Sequence, residues 1–528
     1  MPMNRFAWRL TRTLGMRRSS ALVLRLLLAL LLLHVVGCGG GSGGDEASST
    51  STPIRTLAYV VTDCAVDLAG MGAVTQELRI QVGENDAVRV DGVNVKFEGS
   101  LRPALCRFLG GSRFGQAMQG DLAFKRLGVT PDGTQIVFEV SRPPAELLAQ
   151  MPNAAIDVDE GIYSVRADGS DLQRLGAPSR EAPFRLAPIY SVSTLTFPGF
   201  AFSPDGRRAV FTDLGPGPDG EEAIQIVSLD VDTGTREQLT SLPRGVDDPC
   251  PVVSAVPCRP GTAAPFFLDD DHIAFFTSAN PDGMNPSGEL AGLVMNSDGT
   301  RLRAGAHPTS LPHGLIDPRF VITGPAPSAV ALPVDVPSEG PPDPGIQAAF
   351  PFSMEVFLID GDFLLQLTNF RRSDIVGVAL TADGQRVIFA ASANLPTRRN
   401  GTDLVPRNPT GNCQIFSVDR NGGDLRQLTD FRETDHSTIG CYYHSGLGCA
   451  AAFFDIDPVT GTLVFDSNCD PFGRNRYGGQ IFAMRPDGTG LRQITAARGL
   501  IVTLGTSETL ELVGPHAYSA PVRGVRPQ

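Results

Sequence analysis

The chain has very little lysine and tryptophan. Lys96 and Lys125 are its only lysines, Trp8 is its only tryptophan, and the formal net charge is −13. Without the first 37 residues, which hold six arginines and no acid, the net charge would be −19. Phosphate groups are bound by clustered Lys and Arg, so a chain of this composition repels polyanions. We therefore expect no nucleic-acid partner.

Signature motifs of several enzyme classes are also missing. The sequence has no H-E-x-x-H and no C-x-x-C, and no histidine after residue 37 lies in a recognisable catalytic pattern. The segment 436–449 contains two histidines and two cysteines, but not at the spacing of a known zinc finger. The acidic triplet 269–271 stands where other repeats have Pro-Asp-Gly, and we expect it to form a turn as well. We expect neither a metal ion nor another cofactor.

The N-terminus has the pattern of an export signal. Arginines up to Arg18 precede an apolar stretch from Leu22 to Val36, which is too short and too interrupted by Arg25 for a membrane span. It ends in Val-Val-Gly followed by Cys38, which resembles the bacterial lipoprotein signal. That resemblance implies a signal peptide over residues 1–37 and acylation of Cys38. An ordinary secretory signal that ends near a cysteine is the alternative.

Residues 38–53 then predict a flexible tether. Residues 39–52 read GGGSGGDEASSTST and contain no apolar side chain larger than alanine. A Gly/Ser-rich chain of this length spans about 20 Å on average. We expect a body that stands off a membrane surface in the cell envelope, on the periplasmic or outer-membrane side.

Eight cysteines remain after Cys38, and an even number in an exported chain favours disulfide bonds. Two pairs are each eight residues apart and are the predicted disulfides: Cys250 with Cys258, and Cys441 with Cys449. The pairing of Cys64, Cys106, Cys413 and Cys469 stays open, because these residues are far apart in the sequence.

Internal repetition is the strongest signal in the chain. Six segments share an apolar strand, a tight polar turn and a second strand, which in most copies ends near Leu-Thr: 162–176, 224–240, 292–305, 356–368, 414–429 and 480–495. Their turn residues, 61 to 66 positions apart, are Asp168, Asp232, Asp298, Asp360, Asn421 and Asp487. Such a regular period predicts a repeat architecture.

A looser hairpin lies upstream of each segment. Clear copies are 129–140, 202–213, 380–391 and 454–467, whereas 267–278 is weaker and 315–323 is the most eroded. Two of them contain Pro-Asp-Gly, in which Pro presets φ, Asp bonds nearby backbone and Gly accepts positive φ. Two hairpins per period make a four-stranded sheet, and stacking such sheets around an axis buries both faces. The sequence predicts an all-β propeller of four-stranded antiparallel blades with six recognisable repeats.

The last repeat, FDSNCDPFGRNRYGGQIFAMRPDGTGLRQIT, resembles the TolB-type (WD40-like) propeller repeat. The resemblance extends over the repeat region, residues 119–499. It implies a fold rather than an activity, because related propellers occur in binding proteins and in peptidases. Residues 54–118 and 500–528 are expected to supply strands that close the ring of six blades. Alternatives are a degenerate seventh blade made from both ends, and a small separate N-terminal domain.

Long insertions between the hairpins are expected on the face opposite the Asp-Gly turns: 141–161, 176–199, 241–265, 324–353, 392–412 and 430–449. Loops on a rigid scaffold commonly carry binding residues. The sequence thus favours a non-catalytic, lipid-anchored binding or scaffold protein of the cell envelope. Its expected partner is a protein or an envelope polymer. The alternative is a propeller enzyme, a hydrolase or lyase with its site in the axial channel.

Overall fold

The computed structural model describes the repeat region and both of its flanks. The described residues are 55–67, 71–100, 123–143, 148, 151, 153–180, 200–243, 262–277, 279–286, 291–304, 329–337, 352–360, 363–370, 375–381, 383–393, 395–399, 403–406, 408, 413–431, 451–457, 459–467, 469–474, 480–497, 499–503 and 507–518. The chain divides into two units, Met1–Thr50 and Ser51–Gln528, and every described residue belongs to the second. Cys38 and the four cysteines of the predicted disulfides lie outside the described residues.

The N-terminal strands form a long antiparallel hairpin with two shorter additions. They are β1 (Thr56–Asp67), β2 (Met71–Val82), β3 (Val88–Arg89) and β4 (Val95–Ser100). β2 alternates between buried and partly exposed side chains, with Val74, Leu78 and Ile80 turned inward. This two-residue period is that of a strand with one face in a core.

The first repeat forms a four-stranded antiparallel blade. Its strands are β5 (Phe124–Val129), β6 (Gln135–Val140), β8 (Gly161–Arg166) and β9 (Gln173–Gly176). The connection between β6 and β8 contains a further strand, β7 (Asn153–Val158), which pairs with β4 instead of joining the blade. The predicted insertion 141–161 is therefore partly regular structure.

The remaining repeats follow the same order along the chain. The second blade has β10 (Ala201–Phe202), β11 (Arg208–Pro216), β12 (Glu222–Asp230) and β13 (Arg236–Gln238), and the third has β14 (Thr262–Phe267), β15 (His272–Thr277), β16 (Ala291–Asn296) and β17 (Arg303–Ala304). The fourth has β18 (Ala329–Pro337), β19 (Phe352–Asp360) and β20 (Phe363–Gln366). The fifth has β21 (Ile375–Leu380), β22 (Arg386–Ala391), β25 (Gln414–Asp419) and β26 (Arg426–Gln427), with a separate hairpin of β23 (Pro396–Arg399) and β24 (Asp403–Pro406) between β22 and β25. The sixth has β27 (Ala451–Ile456), β28 (Leu463–Ser467), β29 (Gln480–Met484) and β30 (Arg492–Gln493), and β31 (Gly499–Thr503) and β32 (Ser507–Tyr518) follow it.

The structure confirms an all-β propeller with six antiparallel blades. In the fourth blade three strands fall within the described residues, and the eroded hairpin 315–323 lies outside them. The expectation that 324–353 is one long connection is wrong over β18, which pairs with β19 along its whole length. Its sequence, AVALPVDVP, alternates apolar and other residues as a strand does, but its two prolines concealed the pattern.

The apolar cores lie between successive blades. Val137 and Ile162 of the first blade share a core with Phe202 and Phe211 of the second. Equivalent cores join the second blade to the third, the fourth to the fifth and the fifth to the sixth. Among the middle strands that these cores cover, β6, β8 and β29 are almost entirely buried. Such strands read as near-continuous apolar runs, which is why the repeats are visible in the sequence.

Both ends of the described chain meet in one sheet, ordered β31-β32-β1-β2-β4-β7, which we call the closing sheet. One face of β1, with Leu57 and Tyr59, packs on Val464 and Ile481 of the sixth blade. Its other face, with Ala58 and Val60, shares the core of the first blade. The closing sheet thus lies between the sixth blade and the first, although it has neither the period nor the turns of a repeat.

A buried side-chain pair accounts for the threonine that follows Leu or Ile at the end of four repeats. A Gln or Glu in the third strand accepts a hydrogen bond from the threonine hydroxyl, which itself accepts one from the next backbone N–H of that strand. The pairs and their O···O distances are Gln225–Thr240 at 2.9 Å, Glu355–Thr368 at 2.6 Å, Gln414–Thr429 at 2.7 Å and Gln480–Thr495 at 2.8 Å. The first repeat has glycine at both positions, Gly161 and Gly176. The two positions therefore change together within this chain.

Candidate functional site

Two opposite faces of the blades can be defined by their connections. The DG-turn face carries the turns between the first and second strands and between the third and fourth strands of each blade, such as 130–134 and 167–170. The long-loop face carries the other connections. Its described parts include 141–143, 176–180, 217–221, 279–286, 395–406 and 469–474, with the gaps in these ranges stated above. The long-loop face, which the sequence predicts to bind a partner, therefore lies at the opposite ends of the strands from the Asp-Gly turns.

A buried ion pair lies under the long-loop face at the joint of the first and second blades. Arg126 of β5 contacts Glu139 of β6, and their side chains are 3% and 0% exposed. Arg126 Nη2 also donates to the carbonyl oxygen of Thr212 in the second blade (2.9 Å), and Glu139 Oε1 accepts from the backbone N–H and the hydroxyl of Ser179 (2.9 and 2.7 Å). Burial opposes ionisation of Glu139, but Arg126 and Ser179 outweigh it and lower its pKa. The pair is held fixed and ionised.

A second layer of charged groups covers this pair. The Arg180 backbone N–H donates to Asp213 Oδ1 (2.5 Å), and its guanidinium donates to Glu222 Oε1 (2.8 Å). Arg236 lies 3.7 Å from Asp213 Oδ2 and stacks over Phe211. Burial lowers the pKa of Arg236, although Asp213 acts in the opposite direction. These charges join two blades, and Arg180 and Glu222 remain exposed to solvent.

Two connections on the long-loop face are held by a buried asparagine, which the sequence analysis did not identify. Asn285 donates to the carbonyl oxygens of Thr277 (3.3 Å) and Ala279 (3.1 Å) after the second strand of the third blade. In the fifth blade Asn408 donates to the carbonyl oxygen of Ala393 (2.9 Å). Both asparagines are buried and both precede a proline. The repeated Asn-Pro dipeptide was the signal that could have revealed them.

Aspartates on the DG-turn face cap their own turns. Asp205 Oδ1 accepts from the Ser203 hydroxyl (2.6 Å) and from the Arg207 N–H (3.1 Å). Burial acts to raise the pKa of Asp205, but these hydrogen bonds outweigh it and lower the pKa. In the turns between third and fourth strands a hydrogen bond from the following hydroxyl lowers the pKa of Asp168, Asp298 and Asp487. The prediction that these residues form turns is confirmed.

The acidic triplet 269–271 is also a turn, as predicted. The Asp271 N–H donates to Asp269 Oδ1 (2.9 Å), and Nδ1 of His272 lies 2.8 Å from the same oxygen. Partial burial, followed by repulsion from Asp205 and the neighbouring acids, raises the pKa of Asp270. Among the residues that the structure describes, no group of three or more His, Cys, Asp or Glu side chains is arranged to hold a metal ion.

Three cysteines fall within the described residues. Cys64, Cys413 and Cys469 are buried and disulfide-bonded. The predicted pairs Cys250–Cys258 and Cys441–Cys449 lie outside the described residues and stay predictions, as does lipidation of Cys38. In the described part of the chain, no helix has the length and apolar character needed to cross a bilayer.

No protein-family model matches the chain, and no curated protein matches it. Solved structures do. Oligogalacturonate lyase from Vibrio parahaemolyticus is 9% identical with a TM-score of 0.41, covering 82% of this chain and 97% of that one. TolB from Acinetobacter baumannii is 15% identical with a TM-score of 0.34, covering 88% and 83%. The β-propeller domain of the Trilobed protease from Pyrococcus furiosus is 10% identical with a TM-score of 0.42, covering 84% and 97%.

These similarities concern the fold alone. TolB proteins are among the structures similar to this chain. Propellers with lyase and peptidase names are among them as well.

Proposed function

We propose that this protein is a non-catalytic lipoprotein of the cell envelope, anchored through Cys38, that binds a protein or an envelope polymer through its long-loop face. The blades act as a rigid scaffold, and the partner contacts the connections that leave their strands at that face. Loops positioned by a rigid scaffold are the usual place for recognition.

One observation carries the proposal against a catalytic role. Glu139 and Asp457, two fully buried carboxylates at joints between blades, are already engaged by Arg126 and Arg55. Burial acts to raise the pKa of both carboxyls, but Arg126 and Ser179 lower the pKa of Glu139, and the Val459 backbone N–H and Arg55 lower that of Asp457. A general acid needs a raised pKa and access to substrate. These groups are arranged to stabilise joints and turns.

Location and charge agree with this proposal. The disulfide-bonded state of Cys64, Cys413 and Cys469 supports an oxidising compartment outside the cytoplasm. Removal of the signal would leave a net charge of −19, which disfavours polyanions and anionic lipid surfaces. A protein or an uncharged or cationic polymer fits such a surface better.

The test is affinity capture from envelope extracts with the lipid-anchored protein, followed by a binding measurement with the partner so identified. A variant in which 396–406 is replaced by Gly-Gly, or one with Arg180→Glu, should lose at least part of the affinity. The matched control, Ser170→Arg on the DG-turn face, should bind as the natural protein does. Equal binding by all variants would remove the long-loop face as the binding surface.

Metal analysis and activity screening distinguish the scaffold proposal from the enzyme alternative. Stoichiometric calcium or zinc in the purified mature protein, or turnover of a polysaccharide or peptide substrate, would replace the scaffold proposal with a catalytic one.

A further inference from the structure

The point at which the chain enters the blades is fixed by Arg55. Its Nη2 donates to the carbonyl oxygen of Pro131 in a turn of the first blade (2.9 Å) and lies 3.3 Å from Asp457 Oδ1 in a turn of the sixth. The carbonyl oxygen of Arg55 accepts from the Gly83 N–H (3.1 Å), and the Thr56 hydroxyl donates to the carbonyl oxygen of Gly133 (2.7 Å). Four separate contacts thus hold Arg55 and Thr56 at the DG-turn face.

From there β1 runs away from the DG-turn face. Thr56 pairs with Val82, beside the β2–β3 turn, and Val66 pairs with Gly72 at the opposite end of the hairpin. A strand of this length extends about 40 Å. Tyr518, near the other end of the chain, pairs with Leu57. The first residues of β1 and the last residues of β32 therefore both lie on the DG-turn side.

The tether predicted from the sequence is short compared with that strand. Residues 39–54 separate Cys38 from Arg55, and a Gly/Ser-rich segment of this length has a root-mean-square span of about 20 Å. To bring the long-loop face to the membrane, the tether would have to run back along β1, about twice that distance. Because the mean span of the tether is shorter than this distance, the long-loop face would rarely lie at the membrane.

We propose that the anchor holds the DG-turn face toward its own membrane and directs the long-loop face away from it. This orientation rests on the proposed lipid anchor at Cys38. A partner would then be met on the far side of the protein, from the aqueous compartment, and not within the bilayer that carries the anchor.

The absence of tryptophan after Trp8 makes the orientation measurable with one donor at a time. Val459 and Phe472 belong to the same blade, in turns at opposite ends of β28, and are 69% and 43% exposed. Val459→Trp places a donor on the DG-turn face, and Phe472→Trp places one on the long-loop face. The lipidated full chain carrying either change is bound to vesicles that contain dansyl-labelled lipid. Energy transfer to the lipid should be severalfold stronger from position 459.

Tether variants supply the control. Duplicating residues 39–53 should reduce the difference between the two positions, and deleting 43–52 should increase it, because only the tether limits rotation of the protein. Flotation with vesicles is measured for the same samples and for Cys38→Ser. If the natural chain does not float with the vesicles, the proposed lipid anchor is wrong, and so is the orientation that depends on it. A natural chain that floats, but shows equal transfer from both positions or stronger transfer from 472, overturns the orientation alone.

Discussion

Buried glutamines give the repeats their most regular side-chain contact. Gln480 Oε1 accepts from the Thr495 hydroxyl (2.8 Å) and the Ala497 N–H (3.1 Å), and its Nε2 donates to the Ala497 carbonyl oxygen (2.6 Å). A single side chain thereby satisfies three polar groups where the fourth strand turns toward the next blade. Glu355 occupies the same position in the fourth blade and accepts from Thr368 and from the Phe370 N–H. A carboxylate can replace the acceptor oxygen but not the amide donor.

Replacing Gln480 with leucine should lower the free energy of unfolding by about 2–3 kcal/mol, because buried donors and acceptors lose their partners. Gln480→Glu should have a smaller effect, since it keeps the acceptor. The exposed Gln173→Leu is the control and should change stability by less than about 0.5 kcal/mol. Urea denaturation measures all three, and equal losses for the three variants would contradict the role given to this side chain.

Turns between the third and fourth strands show how one element fits the next. In the five described turns of this kind the glycine has positive φ, and in four blades it lies against the backbone of a leucine in the preceding blade: Gly234 on Leu175, Gly299 on Leu239, Gly422 on Leu367 and Gly488 on Leu428. The Asp-Gly turn is therefore a contact between blades as well as a reversal of the chain. At Gly234 and Gly299 the backbone conformation and the close approach together require glycine, because a Cβ would lie within 3 Å of the leucine carbonyl oxygen.

Gly234→Ala should cost about 3 kcal/mol or more, because a Cβ would overlap the carbonyl oxygen of Leu175 in addition to the strain of positive φ. Gly220 also has positive φ, but nothing lies within 4 Å of a Cβ there. Gly220→Ala should therefore cost only about 1 kcal/mol from backbone strain. Thermal unfolding compares the two variants, and similar shifts in Tm would mean that the contact between blades adds nothing.

The strands and turns of the repeats could be predicted because local physics determines them. Buried middle strands are apolar throughout, and Asp-Gly turns need specific residues at specific positions. β7 could not be predicted, since its partner β4 is supplied by a segment before the first blade. The Arg126–Glu139 pair was missed for a similar reason: Ser179 and Thr212, which complete it, come from later segments that only the folded blades bring near.

At the scale of the whole molecule, the joints between blades are not alike. Apolar and aromatic contacts hold the later ones, for example Phe431 with Phe465 and Phe482 between the fifth and sixth blades. Two other joints contain buried charges in addition to their apolar cores. Glu139 lies at the joint of the first and second blades, and Asp457 links the sixth blade to Arg55, which precedes the first strand of the closing sheet. Stability at low pH should therefore be limited by these two joints.

The folded-state pKa values of Glu139 and Asp457 lie below the ordinary values of 4.5 and 3.8. Their stabilisation is present above those ordinary values and is lost as the pH falls through the lower folded-state values. The free energy of unfolding should accordingly fall from about pH 5 to about pH 2. Urea midpoints across this range measure it.

Glu139→Gln should lower stability by about 3–5 kcal/mol at neutral pH, because it leaves Arg126 buried without its counter-charge. The same variant should show a shallower decline in acid. The exposed Glu98→Gln is the control and should decline as the natural protein does. If Glu139→Gln and Glu98→Gln declined in parallel, the buried pair would not be the source of the acid sensitivity.

The closing sheet also constrains how the protein is made. β1 pairs with β32, and Arg55 reaches a residue 402 positions further along the chain. Translation begins at the N-terminus, so β1 emerges long before the strand that completes its sheet. Until then, the core side chains of β1 and the edge of the first blade have no partner from the end of the chain. Completion of the fold must await synthesis of β32, and a chain stalled before that point would present an open, association-prone edge.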